Sequence, residues 1–249
     1  ATCRYSTTPG VAYSAMTNTF ATTGGTSHST PVSGLASGGS YSFSVRCQDG
    51  ATNVNVNDYT ISFAVAAAGT LPPGLVAAYG FNENSGTTTA DITTNNLTGS
   101  LSGAAWTTAG KFGNALSFDG VNDWVTVADA NALDLTTGMT LEAWVFPTAN
   151  GGGSWRSVVI KEQANAEIYD LYANATSNTP VVYVVAASQP GVTLGAAGTS
   201  QLPLNTWTHL ATTYDGAMLR LYVNGAQVAS KAQTGSIATS TNPLQIGGD

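Results

Sequence analysis

The sequence predicts an all-β protein built from two sandwich units. Three observations predict it. First, apolar and polar residues alternate in short runs: Leu219, Leu221 and Val223 fall on one side of a strand, Arg220 and Tyr222 on the other, the period-two signature of a half-buried strand. Second, Asp215-Gly216 and Asn224-Gly225 are turn dipeptides that tolerate positive φ, so Trp207 to Lys231 is expected as a three-stranded antiparallel meander. Third, no stretch of useful length shows the 3.6-residue period, while Thr, Ser, Gly, Asn and Val recur throughout.

The 249 residues suffice for one large or two small domains. Only 8% are charged and the net charge is −7, with no basic cluster, which suits neither nucleic acid nor an anionic membrane surface as partner. Hydrophobic residues reach 43%, yet no run approaches the roughly 20 apolar residues that cross a bilayer. The chain opens ATCRYSTTPG, without the basic and apolar regions of a signal peptide, and is read as a mature piece or a fragment.

In chain order, Thr2 to Ser6 reads as a strand. Tyr41, Phe43, Val45 and Cys47 share one face of another, and Tyr59, Ile61, Phe63 and Val65 repeat the alternation in the last strand of a first unit, residues 1–68. Residues 69–74 link the units, because Pro72 and Pro73 block helix and ladder pairing. In the second unit, 75–249, Val76, Ala78 and Gly80 alternate with Ala77, Tyr79 and Phe81, and Thr87 to Gly99 reads as a loop. Strands are expected at Leu116–Asp119, Trp124–Val127 and Met139–Phe146; the last puts Leu141, Ala143 and Val145 opposite Glu142, Trp144 and Phe146. A glycine-rich loop, Ala149 to Ser154, leads to strands at Val158–Lys161, Ile168–Ala173 and Val181–Ala186, then the meander, then Leu244 to Gly247.

An ordered set of motifs runs through this second unit: GLVAAYGFNENSG from Gly74, GKFGNALSFDGVNDWVTV from Gly110, MTLEAWVFP from Met139, and W-x-H-x-A-x-T-Y-D-G from Trp207 followed by L-x-L-Y-V-N-G. The set resembles the laminin-G-like (concanavalin A-like lectin/glucanase) jelly-roll family over about Leu75 to Asp249. It implies a jelly-roll sandwich and no particular function, because one fold hosts many. The family pattern continues with a further strand after Asp249, so the unit is expected to lack its last strand. In the first unit, LASGGSYSFSVRC ending at Cys47 resembles the tyrosine corner and following strand of a fibronectin type III or immunoglobulin-like sandwich, truncated at its front. That resemblance sets Thr2–Ser6 beside the Tyr41 strand and implies a Cys3–Cys47 disulfide, contributing roughly 3 to 4 kcal/mol; two buried free thiols are the alternative. A disulfide implies an oxidising compartment, hence a secreted or cell-surface protein.

Glycoside hydrolysis needs two carboxylates flanking the scissile bond, which hydrolases of the jelly-roll class carry as E-x-D-x-E. No such run exists, and the positions after Glu142 on its face are Trp144 and Phe146. The only histidines, His28 and His209, have no Ser-His-Asp spacing around them. The chain is therefore read as non-catalytic. The resemblance implies a structural calcium, with Glu83, Asp91, Asp119 and Asp123 as oxygen donors; turn formation is the alternative role for these residues.

Carbohydrate binding is the leading expectation, because it needs flat rings to stack on sugars and polar tips for hydroxyls. Strand parity sets Glu142, Lys161, Asp170, Tyr172, His209 and Arg220, with Trp144, Trp207 and Tyr222, opposite the aliphatic positions of their strands; if those strands share one sheet, they form its solvent face. Trp155 and Arg156 would rim that face, and Tyr169 and Tyr183 complete the candidate ligand set. Trp144, Trp207 and Tyr222 belong to the family pattern and weigh toward packing; Trp155, Arg156, Tyr169, Tyr172 and Tyr183 carry more of the expectation. The expected partner is a polysaccharide or glycan. A structural or adhesive domain that binds protein or itself is the competing reading.

Overall fold

A computed structural model describes residues 1–65, 69, 71–164, 166–188 and 193–248. The chain forms two compact units, Ala1–Gly74 and Leu75–Asp249. Of the linker stretch, residue 70 lies outside the described residues, as does Asp249.

The first unit holds β1 (Thr2–Ser6), β2 (Asn18–Thr19), β3 (Ser40–Gln48) and β4 (Tyr59–Ala64), ordered β2-β1-β3-β4 in one antiparallel sheet. Cys3 lies directly opposite Cys47 in the β1–β3 ladder, and the two are bonded. The Tyr41 hydroxyl accepts the amide of Ala36, five residues upstream, which ties the chain entering β3. Phe43 and Val45 are buried, and Tyr5 meets Phe43 edge-on. On β4, by contrast, Tyr59, Ile61 and Phe63 are exposed.

The second unit begins with β5 (Thr88–Thr89), β6 (Gly99–Ser102), β7 (Ala105–Thr107), β8 (Ala115–Ser117) and β9 (Trp124–Val127). It continues with β10 (Met139–Val145), β11 (Arg156–Gln163), β12 (Ala166–Asn174), β13 (Val181–Val185) and β14 (Thr193–Ala197). The meander follows as β15 (Thr208–Tyr214), β16 (Met218–Val223) and β17 (Ala226–Ala232), then β18 (Leu244–Gly247). Eight strands form one sheet, ordered β14-β13-β12-β11-β18-β9-β6-β5; four form the other, ordered β10-β15-β16-β17; β7 and β8 make a separate hairpin. Both sheets feed one core: Val127, Ile168, Leu171 and Val182 come from the larger, Leu141, Leu210, Leu219 and Leu221 from the smaller. This is the all-β jelly-roll architecture expected from the alternation. Burial of such apolar faces is the main driving force for the fold.

Two local readings differ. The alternation of Val76 to Phe81 makes no ladder strand, only a bridge between Tyr79 and Asp91. Side chains of the following loop occupy its backbone instead: Asp91 accepts the amide of Ala78, while Thr93 and Asn95 donate to the carbonyl of Val76. Conversely, the loop read from Thr87 to Gly99 contributes β5 and the first residue of β6.

Candidate functional site

The predicted ligand residues do not share a face, because their strands belong to different sheets. Glu142, His209 and Arg220 lie on the four-stranded sheet; Arg156, Lys161, Tyr169, Asp170, Tyr172 and Tyr183 lie on the eight-stranded one, with Trp155 just before it. The single solvent face is thus corrected to three separate locations.

Lys161 and Tyr169 belong to the interior. The β11–β12 register skips from Ser157 to Val159, so Val158 is an extra residue and the side-chain parity of β11 shifts. Lys161 then pairs with Tyr169 and Leu244, both core residues, and is 0% exposed. Its Nζ donates to Asp129 Oδ1 at 2.6 Å and to the carbonyl of Asn242 at 2.7 Å. The Tyr169 hydroxyl donates to the carbonyl of Leu133 at 2.8 Å, and burial pushes its pKa up.

On the far face of the same sheet, Trp155, Tyr172 and Tyr183 form a second, smaller apolar cluster with Ile160, Ala175 and Val181. Ring centroids lie 4.9 Å apart for Trp155–Tyr172 and 6.1 Å for Trp155–Tyr183. Tyr172 and Asp170 are covered, and Asp170 Oδ1 accepts the amide of Tyr183 at 2.8 Å. Arg156 reaches across to the carbonyl of Gly120 at 3.0 Å. These aromatics pack chiefly on one another.

The open aromatic surface is the outer face of the four-stranded sheet. Leu141 and Val145 of β10 enter the core, so Glu142, Trp144 and the following Phe146 point away from it. Trp144 pairs with His209 across the β10–β15 ladder, with ring centroids 5.2 Å apart, and His209 Nε2 lies 3.6 Å from Glu142 Oε2. Phe146 meets Trp207 at 5.5 Å. The loop between β7 and β8 adds Phe112, edge-on to Trp144 at 5.8 Å, and Lys111, whose Nζ sits 4.6 Å from the Trp144 ring centroid. Phe112 is 70% exposed, Phe146 42% and Trp144 40%.

Local chemistry fixes this surface. Asn224 takes φ of 50° in the β16–β17 turn, its Oδ1 accepts the His209 amide, and its own amide donates to the His209 carbonyl. The Lys111–Phe112 loop closes through the Gly110 amide on the Gly113 carbonyl, and Asn114 is held by Asn82 through both its amide groups. Gly113, at φ of 83°, lies so close to Asn82 that a Cβ there would come within 2.5 Å of Oδ1. At the other end of the sheet Arg220 is committed to Asp215 at 2.7 Å; the guanidinium, with the amides of Met218 and Ala217, holds the Asp215 carboxyl at about 2.

The four loop carboxylates each accept hydrogen bonds from nearby amides or hydroxyls. Among the described residues no three acidic, His or Cys side chains come together to hold an ion. Asp91 accepts from the amides of Ala78, Thr93 and Leu97 and from the Thr93 hydroxyl. Glu83 accepts from Thr89 and the Ala90 amide, Asp119 from the Val121 amide, and Asp123 from the Asp119 amide. Burial pushes Glu83 and Asp91 up, and these donors outweigh it, leaving both below the ordinary carboxylate value.

Sequence reasoning named none of Lys111, Phe112 and Phe146 as a ligand contact, and weighed Trp144 and Trp207 toward packing. Phe112 carried a signal, as a large apolar residue bracketed by Gly110 and Gly113 where no strand could bury it.

Two sheets feeding one core, the smaller bearing an open aromatic face, define a lectin-type jelly roll. The chain belongs to the concanavalin A-like lectin/glucanases superfamily, whose sequence profile matches residues 119–249. Among solved structures it is similar to the binding domain of Paraclostridial Mosquitocidal Protein 1, at 16% identity over 69% of this chain and 43% of that one, with a TM-score of 0.57. Domain 4 of AbnA, a GH43 extracellular arabinanase from Geobacillus stearothermophilus in complex with arabinotriose, matches at 19% identity over 69% of this chain and 82% of its own, with a TM-score of 0.55. A Trypanosoma rangeli sialidase matches at 18% identity over 74% of this chain and 28% of its own, with a TM-score of 0.52. These similarities show the fold. A 42-residue segment is 55% identical to mouse pappalysin-1, covering 17% of this chain and 2% of that protein.

Proposed function

We propose that this chain is a non-catalytic carbohydrate-binding module of an extracellular protein, with residues 1–68 as a fibronectin III-like spacer. The glycan lies on the outer face of the four-stranded sheet. One observation carries the reading: Phe112, Trp144, Phe146 and Trp207 present neighbouring, partly exposed rings beside the polar tips of Glu142 and His209. Isolated exposed apolar residues are ordinary, whereas a contiguous aromatic patch rimmed by polar groups marks a binding surface. Rings offer large apolar area with little side-chain freedom to lose, and their negative faces attract the polarised C–H edge of a sugar. Glu142 accepts hydroxyl hydrogens, and the His209 ring nitrogens exchange donor and acceptor roles. The arabinotriose-bound arabinanase domain and the binding domain of the mosquitocidal protein support the reading by likeness of fold.

Calorimetry against plant, algal and microbial polysaccharides tests it. Trp144→Ala is expected to cost about 2 kcal/mol of binding, roughly thirty-fold in affinity. Unchanged affinity in that variant would remove the surface from consideration. The same titration with a chelator is expected to give the same affinity, because the loop carboxylates serve amides. A second reading, self-association, is favoured by the exposed Tyr59, Ile61 and Phe63 of β4, an edge strand with ladder groups open to another strand. Concentration-dependent mass in solution would support it.

A further inference from the structure

We infer that Lys111 makes this surface selective for glycans that carry carboxylates. The inference rests on the carbohydrate-binding reading above and names its ligand class.

The chain has seven cationic side chains against fourteen acidic ones. Arg46, Lys161 and Arg220 are each paired with a carboxylate, Asp58, Asp129 and Asp215. Arg4 and Arg156 are spent on backbone carbonyls, and Lys231 lies on β17 opposite the core residue Leu219, away from the aromatic face. Lys111 is placed differently: it is exposed, forms no ion pair among the described residues, and its ammonium sits 4.6 Å from the Trp144 ring centroid and 5.8 Å from that of Phe112. The loop that carries it is tied to Asn82 through Asn114, which holds the Lys111 backbone beside Trp144. On a protein of net charge −7, the aromatic surface thus carries its own cation at its most exposed end.

Lys111 stands where a sugar would stack. A ligand that takes the Trp144 face displaces the ammonium from the ring and removes an attraction of the cation–π kind. A neutral sugar offers nothing charged in return. An acidic sugar lays its ring on Trp144 and its carboxylate against the displaced ammonium, exchanging one partner for a better one. The nearest polar groups on this face, Glu142 and His209, lie 3.6 Å from each other and beside Trp144 in the β10–β15 ladder, while Arg220, farther along the sheet, is already paired with Asp215. They suit hydroxyls, so the acid group is directed to the Lys111 end and the chain of sugars gains a direction.

The test compares polygalacturonate and alginate with their esterified forms, which keep the backbone and remove the charge, using wild type, Lys111→Ala, Lys111→Arg and Trp144→Ala. Wild type is expected to prefer the acid forms, with affinity falling as salt rises. Lys111→Ala is expected to weaken the acid forms about ten-fold and to tighten the esters about two- to five-fold, the worth of the lost cation–π contact; Lys111→Arg retains the preference. Because Lys111 is exposed on a loop, both Lys111 variants should melt as wild type does. Equal effects of Lys111→Ala on both forms, or none, overturn the inference. Wild-type binding confined to neutral glycans and lost in Trp144→Ala overturns it while leaving the carbohydrate-binding surface standing. Binding of neither class removes both.

Discussion

Lys161 carries a charge into the interior of the jelly roll, and its cost is met by two partners. A buried ammonium stripped of its counter-ion is strongly destabilising, so Asp129→Ala is expected to lower the unfolding free energy by about 3 to 5 kcal/mol. Lys161→Met, which removes the charge and keeps the stem, should cost much less; equal losses in denaturant titrations would contradict the account. Asp91 works in the opposite sense, as an acceptor for three amides and a hydroxyl. Its folded pKa lies below its ordinary 3.8. The unfolded chain therefore binds its proton first as pH falls. The stability it contributes is present above about pH 4 and is lost as pH drops through the lower, folded value. Asp91→Asn should flatten the acid limb of a melting-temperature profile, and a variant profile parallel to wild type would count against this role.

At the scale of the element, turns and ladders set where side chains end up. The β16–β17 turn requires positive φ at Asn224 and Gly225, and Asn224 also brackets His209 with two hydrogen bonds. Asn224→Ala should cost about 1 to 2 kcal/mol and weaken glycan binding, because His209 and Trp144 are opposed across the next ladder. In the first unit, the cross-strand Cys3–Cys47 bond joins residues 44 apart in sequence. Reduction should lower that unit's stability by about 3 to 4 kcal/mol and leave the glycan affinity untouched; a fall in affinity on reduction would show that the first unit takes part. The bulge at Val158 is the element-scale reason that Lys161 points inward. A bulge is an added residue with no distinctive side chain, so nothing in the run Ser157 to Lys161 announces it.

For the whole molecule, the aromatic surface lies entirely within Leu75–Asp249. Residues 75–249 produced alone should bind the same glycan with the same affinity, and a loss there would move the site or extend it. Much of the architecture was legible in the chain. The meander was readable because two turn dipeptides bound alternating runs, and the faces of β10, β15 and β16 followed from simple parity. The Trp155–Tyr172–Tyr183 set was readable as an aromatic cluster but not as a covered one. The sequence by itself determined which residues share a strand face, because side-chain direction alternates along an extended backbone. Only the tertiary structure decided which strands share a sheet and what covers each face. Those follow from long-range pairing, which set Glu142 and His209 on one sheet and Asp170 and Tyr172 on another, and from the β7–β8 loop that brings Lys111 and Phe112 over Trp144.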